Sequence, residues 1–256
     1  MIGAEPLIDP SAKIGKDVTI GPWTVIGPEV EIGDGSVIDS HVVIRSHTRI
    51  GKNNRIFQFA SVGEDPSDKK YHGEITWLEI GDNNIIREGA TLHRGTEVGG
   101  GVTRIGSDNL FMPYTHVAHD CIVGNHTIFS NNAAISGHVI VEDWAILSGY
   151  AGVYQFLRIG AHSFVGGLTH INMDVPAYVM VKGTPAQAKG INVTGLERRG
   201  FSREAIKAIR QGYKLLYRKG LTVDQALKEM EILAEDYSEL HKLIHSVKAS
   251  QKGIIR

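Results

Sequence analysis

One aliphatic residue in every six governs this chain. Counting from Ile8, the series runs through Ile14, Ile20, Ile26, Ile32, Ile38, Ile44, Ile50 and Ile56 to Val62. The phase resumes at Ile80, Ile86, Leu92 and Val98, slips by one residue, and then runs unbroken from Ile105 to Ile171. A period of six matches neither an amphipathic helix nor a long strand, whose side-chain repeats are 3.6 and 2. It matches short parallel strands joined by sharp corners, each aliphatic pointing inward. Three such strands close a triangular coil of 18 residues. Coils then stack at the ordinary inter-strand spacing of about 4.8 Å. The fold class is therefore mainly β, a parallel β-helix. The 30 glycines have a reason in this scheme. Small residues after the aliphatics relieve crowding or permit unusual φ at the corners.

Two segments leave the register and read as loops: residues 64–79, polar with Pro66 and Gly73, and 94–104, with Gly99, Gly100 and Gly101. Loops on a rigid scaffold are where binding residues usually sit. From about residue 192 the period turns helical. Ser202 reads as an N-cap ahead of Ile206, Ile209, Tyr213 and Leu216, with Gly220 as the stop; Thr222 and Gln225 form a capping-box pattern. Two further stripes follow, Leu227 to Tyr237 and Leu240 to Val247. The expected division is a β-helix over 1–191 and a C-terminal helical domain over 192–256.

Composition removes several function classes. The net charge of −1 argues against nucleic-acid binding. Residues 196–256 nevertheless hold 13 Lys/Arg against 8 Asp/Glu, leaving the first 195 residues at −6. That asymmetry suits an acidic partner for the C-terminal part. The single cysteine, Cys121, cannot form an intrachain disulfide and reads as inert packing. Residues 1–6 lack the basic and apolar regions of a secretory leader, and nothing approaches the roughly 20 apolar residues of a membrane-spanning helix. A cytoplasmic protein without a membrane span is expected.

The 18-residue coil converts sequence separation into distance. His119 lies two places after the inward Val117 and so faces outward. Gly137 is one coil above it and Gln155 two coils above, while Asp120 stacks under His138. These residues form one polar patch. A histidine beside a carboxylate has its tautomer fixed and its basicity raised, as general-base work requires. A glycine above it leaves room for substrate and a backbone N–H for an oxyanion. His116 falls at a different hexapeptide position, expected at the preceding corner. His41, His47, His126, His162, His241 and His245 read as ordinary surface histidines. One rival chemistry is a zinc site between subunits, with His93, His116, His119 and His138 converging as in trimeric β-helix carbonic anhydrases.

The chain resembles the bacterial UDP-N-acetylglucosamine O-acyltransferases, the first enzymes of lipid A biosynthesis. The resemblance runs over essentially all 256 residues. It rests on Ile56–Glu64, His93–Thr96, His116–Cys121, Gln155-Phe156, Gly160–His162, Asp174–Val179 and, most specifically, Arg198–Ile206. It implies a left-handed β-helix, a homotrimer with sites between subunits, and no metal or other cofactor. It implies transfer of a 3-hydroxyacyl group from acyl carrier protein to the glucosamine 3-hydroxyl of UDP-N-acetylglucosamine. In that reaction His119 matches the general base, Asp120 its carboxylate partner and Gly137 the oxyanion donor. Asp68 and Lys70 match residues near the sugar and acyl groups, and His116 matches a further site histidine. His138, Gln155, Asn192, Arg198 and Arg199 match residues that hold the nucleotide sugar; an arginine pair suits a pyrophosphate. Gly167 matches the position that sets acyl length and favours a longer chain, with Phe164 the neighbour that would shorten it. On the basic helix, Arg203, Lys207 and Arg210 are expected to dock the acidic carrier. Two positions depart from the family pattern: Tyr154 stands where histidine is usual, and Thr194 where glutamate is frequent. A related N-acyltransferase is disfavoured because such enzymes usually carry an additional N-terminal domain.

Overall fold

The computed structural model describes residues 5–256, so residues 1–4, part of the segment read as lacking a secretory leader, lie outside the described residues. The molecule is a left-handed parallel β-helix followed by four helices. Short strands, most of two residues, form three sheets of nine, eight and ten strands. Each sheet takes every third strand, so pairing joins residues 18 apart, as in Val117 with Ile135 and Ile135 with Val153. We call the sheets I, II and III in the order in which Leu7–Ile8, Lys13–Ile14 and Thr19–Ile20 enter them. In each two-residue strand the second residue is the periodic apolar one. From Ile26 to Ile171 these side chains fill the prism, Val98 excepted. Ile8 and Ile14 remain partly exposed because no coil lies below them.

The corners decide between the two roles expected of the small residues. The residue with positive φ is the third after the aliphatic, and it is seldom glycine: Asp17, Trp23, Glu29, His41 and His47 open a series that continues to Leu168. The glycine that directly follows an aliphatic serves close approach instead. A Cβ on Gly21 would lie 2.5 Å from the backbone N of Ser40, one coil above.

The loops correct one sequence expectation. Strand Ser61–Glu64 precedes the first loop and Trp77–Ile80 follows it, leaving 65–76 outside the sheets. The second loop is 94–101, between Thr91–His93 and Val102–Ile105. The first insertion lengthens the pairing step to 30 residues (Thr48 with Leu78), the second to 25 (Thr91 with His116). The second insertion is thus one hexapeptide plus one residue. It imitates the repeat, which is why Val98 falls in phase although it is 83% exposed on the loop. Both loops depart from the same corner, between sheets I and II.

The coils on either side of these insertions are tied internally. The Asn54 Oδ1 accepts from the Asn84 backbone N–H (2.9 Å), Asn84 Oδ1 from Asn109 (3.0 Å), and Asn109 Oδ1 from Thr127 (2.7 Å). All four residues are buried, and the ladder satisfies polar groups that would otherwise cost about 1–3 kcal/mol each.

A hairpin of Val179–Lys182 and Gln187–Ile191 ends the sheets. The helices are α1 (Val193–Arg198), α2 (Arg203–Tyr217), α3 (Val223–Ala234) and α4 (Leu240–Lys248). Ser202 caps α2 and Thr222 with Gln225 forms a capping box on α3. The short α1 has no counterpart in the apolar pattern; its N-cap is Asn192. None of the described helices is long and apolar enough to cross a membrane.

Candidate active site

His119 and Asp120 occupy the corner between sheets I and II, Asp120 with φ of 61°. The His119 Nδ1 lies 2.7 Å from Asp120 Oδ2. Asp120 is not part of an open patch, as the register alone suggested. It is only 7% exposed, because the second loop closes over it. Thr96 donates its backbone N–H to Oδ1 and its hydroxyl to Oδ2, both at 2.7 Å, and Asp120 N–H donates to Thr103 Oγ1 at 2.7 Å. Burial acts to push the Asp120 carboxyl up, but the hydrogen bonds from His119 and Thr96 outweigh it and hold the group below its ordinary value. An ionised, acceptor-only carboxylate at Nδ1 places the imidazole proton on Nδ1 and leaves the Nε2 lone pair free.

Gly137 lies directly over that ring. A Cβ there would stand 2.6 Å from Cε1 and 2.8 Å from Nε2 of His119. The Gly137 carbonyl accepts from Phe156 N–H, while its own N–H makes none of the backbone hydrogen bonds. His138 is the second histidine on Asp120, its Nε2 3.6 Å from Oδ2, and it is stacked under Phe156 at 4.4 Å. Gln155 and Tyr154 are exposed on the same corner.

His116 is not at a corner. It projects from the strand His116–Val117, its Nδ1 2.7 Å from Thr91 Oγ1 and its ring against His93. Burial, with help from His93 and His119, pushes it down to about 4; burial also lowers His93. Both rings are neutral hydrogen-bonding groups near neutral pH. His119, Asp120 and His138 offer three donor atoms within 4.8 Å of one another, a set able to hold a metal ion. Asp120 Oδ2 is already committed to Thr96 and His119, so the arrangement is first a carboxylate–imidazole pair.

Asp68 and Lys70 belong to the first loop, which leaves this corner below His119; Asp68 Oδ1 accepts from Lys70 N–H. Arg94 fastens that loop. Its guanidinium donates to Gly63 O (2.9 Å), Ser46 O (3.1 Å) and Tyr71 OH (3.0 Å) and pairs with Asp65. Neither Arg94 nor Thr96 was singled out by spacing. Their signal was the break in register itself.

Other expected site residues lie on different corners of the prism. Asn192 is buried as the cap of α1, accepting from Gly195 N–H and donating to His162 O. Arg199 donates to Trp144 O (3.0 Å) and His162 Nδ1 (3.2 Å), at the corner between sheets II and III. His162 is therefore no surface histidine. It is buried between the Trp144 and Tyr178 rings, and burial followed by Arg199 pushes it down to about 4. Arg198 is exposed near the start of this helical part. Gly167 sits at the third corner, between sheets III and I, and Phe164 on the outer face of sheet III. A single chain does not bring these residues to His119. Cys121 is fully buried, its Sγ donating to Ser136 O, and burial pushes its thiol up to about 12. Arg203, Lys207 and Arg210 are exposed on α2; Lys207 and Arg210 line a groove of ≈ 530 Å³ with Lys214 and Lys219.

Comparison with known proteins agrees over the whole chain. The family model described as Udp N-acetylglucosamine O-acyltransferase, domain 2, matches residues 174–255, and the bacterial transferase hexapeptide model (six repeats) matches 102–137. The acyl-[acyl-carrier-protein]–UDP-N-acetylglucosamine O-acyltransferase of Stutzerimonas stutzeri is 55% identical over 256 residues, covering 100% of this chain and 99% of that one. The structure of LpxA from Acinetobacter baumannii superposes with a TM-score of 0.97 at 50% identity, covering 99% of both chains. The Arabidopsis UDP-N-acetylglucosamine acyltransferase superposes with 0.86 at 33%, covering 100% of each. The chain is an acyltransferase and belongs to the UDP-N-acetylglucosamine O-acyltransferase family.

Proposed function

We propose that the protein transfers a 3-hydroxyacyl group from acyl carrier protein to the 3-hydroxyl of UDP-N-acetylglucosamine, the opening step of lipid A synthesis, in the cytoplasm. The observation that carries this reading is His119 held at 2.7 Å by a buried carboxylate, with its Nε2 beneath a side-chain-free Gly137. Nε2 takes the proton of the sugar hydroxyl as its oxygen attacks the thioester carbonyl. The resulting oxyanion meets the Gly137 N–H. On collapse the C–S bond breaks, and the leaving carrier thiolate takes the proton back from the imidazolium. Asp120 stabilises the charged ring in between.

His138, Gln155 and the first-loop residues Asp68 and Lys70 border this corner, and His116 supplies a neutral ring beside it. The placement of Asn192, Arg199 and Gly167 on other corners supports a homotrimer in which neighbouring copies complete each site. The third corner supports the same reading, since it exposes Trp23, Phe59, Tyr114, Tyr150 and Leu168 in one column. We assign 1–191 as the scaffold bearing the base and 192–256 as the part that meets the carrier through Arg203, Lys207 and Arg210. Gly167 leaves room for a longer hydroxyacyl chain, which Phe164 borders.

The test is mass spectrometry of UDP-N-acetylglucosamine incubated with the enzyme and a panel of hydroxyacyl carrier proteins. An O-acylated product identifies reaction and chain length together. In the same assay His119→Ala should lose at least about 10²-fold of the rate. Activity within a few-fold of wild type would refute the base.

A further inference from the structure

The Asp120 carboxylate faces two histidines, and something must decide which one it serves. His119 Nδ1 is 2.7 Å from Oδ2 and His138 Nε2 is 3.6 Å from the same oxygen. A carboxylate free to turn would divide itself between them. Thr96 removes that freedom. Its backbone N–H holds Oδ1 and its hydroxyl holds Oδ2, each at 2.7 Å, so both oxygens are pinned from one side. The hydroxyl is itself oriented. Thr96 Oγ1 accepts from Gly99 N–H at 3.1 Å, which directs its own proton to Asp120. Gly99 can lie there only without a side chain, since a Cβ would fall 2.0 Å from the Asp120 Cγ. Thr96 is 5% exposed, so water cannot substitute for it.

We propose that Thr96 is a positioning residue for acyl transfer, its hydroxyl fixing the Asp120 rotamer so that the carboxylate orients His119 rather than His138. This rests on the general-base reading of His119. The second loop is then a strap, and its three-glycine turn lets one threonine grip the carboxylate.

The experiment compares Thr96→Val, which keeps shape and the backbone N–H but loses the hydroxyl, with Thr96→Ser, which keeps it. Loss of one hydrogen bond to a charged group predicts about a 10-fold lower kcat for Thr96→Val, with KM for UDP-N-acetylglucosamine changed less than about twofold. The acid limb of its pH–rate profile should move to lower pH, because a carboxylate free to turn toward His138 stabilises the His119 imidazolium less. Thr96→Ser should restore both. His93, His116 and His138, the other titratable groups around the pair, and Arg94 stay intact in every variant. A folded Thr96→Val with unchanged kcat and limb overturns the proposal. So does a kcat loss that Thr96→Ser shares without any movement of the limb. Should Thr96→Val not fold, Gly99→Ala decides, because it keeps the hydroxyl but displaces the carboxylate: a moved limb supports the proposal and an unmoved one overturns it. His119→Ala separates the two failures. If it is inactive while Thr96→Val is normal, only the Thr96 role falls; if it is active, the general-base reading falls.

Discussion

Replacing Gly137 by alanine tests the site with a single methyl group. The added Cβ would stand 2.6 Å from His119 Cε1, 2.8 Å from Nε2 and 3.1 Å from Nδ1. Carbon atoms in contact prefer about 3.5–4.0 Å, so the ring must retreat by roughly 1 Å. Retreat by that amount stretches the 2.7 Å bond to Asp120 Oδ2 beyond good hydrogen-bond geometry, or turns Nε2 away from the attacking hydroxyl. A displacement of about 1 Å costs on the order of 10²-fold in rate. The backbone is not the problem, since Gly137 is absent from the positive-φ glycines. Alanine even restricts the unfolded chain, worth about 0.4–1 kcal/mol toward stability. The loss should therefore appear in kcat, measured with carrier-bound acyl donor, while the melting temperature stays within a few degrees of wild type. The N–H is retained, so the deficit reports the displaced imidazole and not a missing oxyanion donor. A folded Gly137→Ala enzyme within about threefold of wild-type kcat would refute the argument, because it would mean that the ring position does not govern the rate.

Three further outcomes are expected. His162 is lowered from 6.5 to about 4 in the folded state, so the unfolded chain binds the proton more readily between those values. Its stabilising contribution is complete above about pH 6.5 and is lost as pH falls toward 4, up to about 3 kcal/mol; melting temperatures that stay flat from pH 7 to 4.5 would contradict this. Lys207→Glu with Arg210→Glu should raise KM for the acyl carrier protein and leave KM for the sugar nucleotide unchanged, with a smaller difference at high salt; equal effects on both substrates would remove the docking role. Chelation should leave acyl transfer intact, whereas one zinc per chain in purified protein, with activity lost on its removal, would favour the rival zinc-site chemistry.

The prism was legible because one constraint repeats. Every coil must fill the same interior, so Ile32, Ile86 and Ile171 report the same fact, and pairing every third strand follows from the 18-residue arithmetic. His119 was legible for the same reason, since its distance from Val117 sets its direction. What was hidden lies where the chain leaves the repeat. Val98 kept the phase by coincidence of loop length, and Thr96 and Arg94 act through contacts that no period encodes. His162 looked like one polar corner among many. Its burial depends on Arg199 and Phe201, brought over it by the helical part. Of the two roles open to the corner glycines, relief of crowding holds, while the left-handed positions mostly carry other residues, among them Trp, Tyr and Phe, which ordinarily avoid that conformation.

The placement of both insertions at one corner has a consequence for how such a chain changes over time. Sequence between Glu64 and Trp77, or between His93 and Val102, is extruded sideways, and the next strand still lands on its partner. Length at that corner is therefore uncoupled from register. Residues can be gained or lost there without repacking a single interior side chain. The scaffold offers a splice point, and it lies on the same corner as His119.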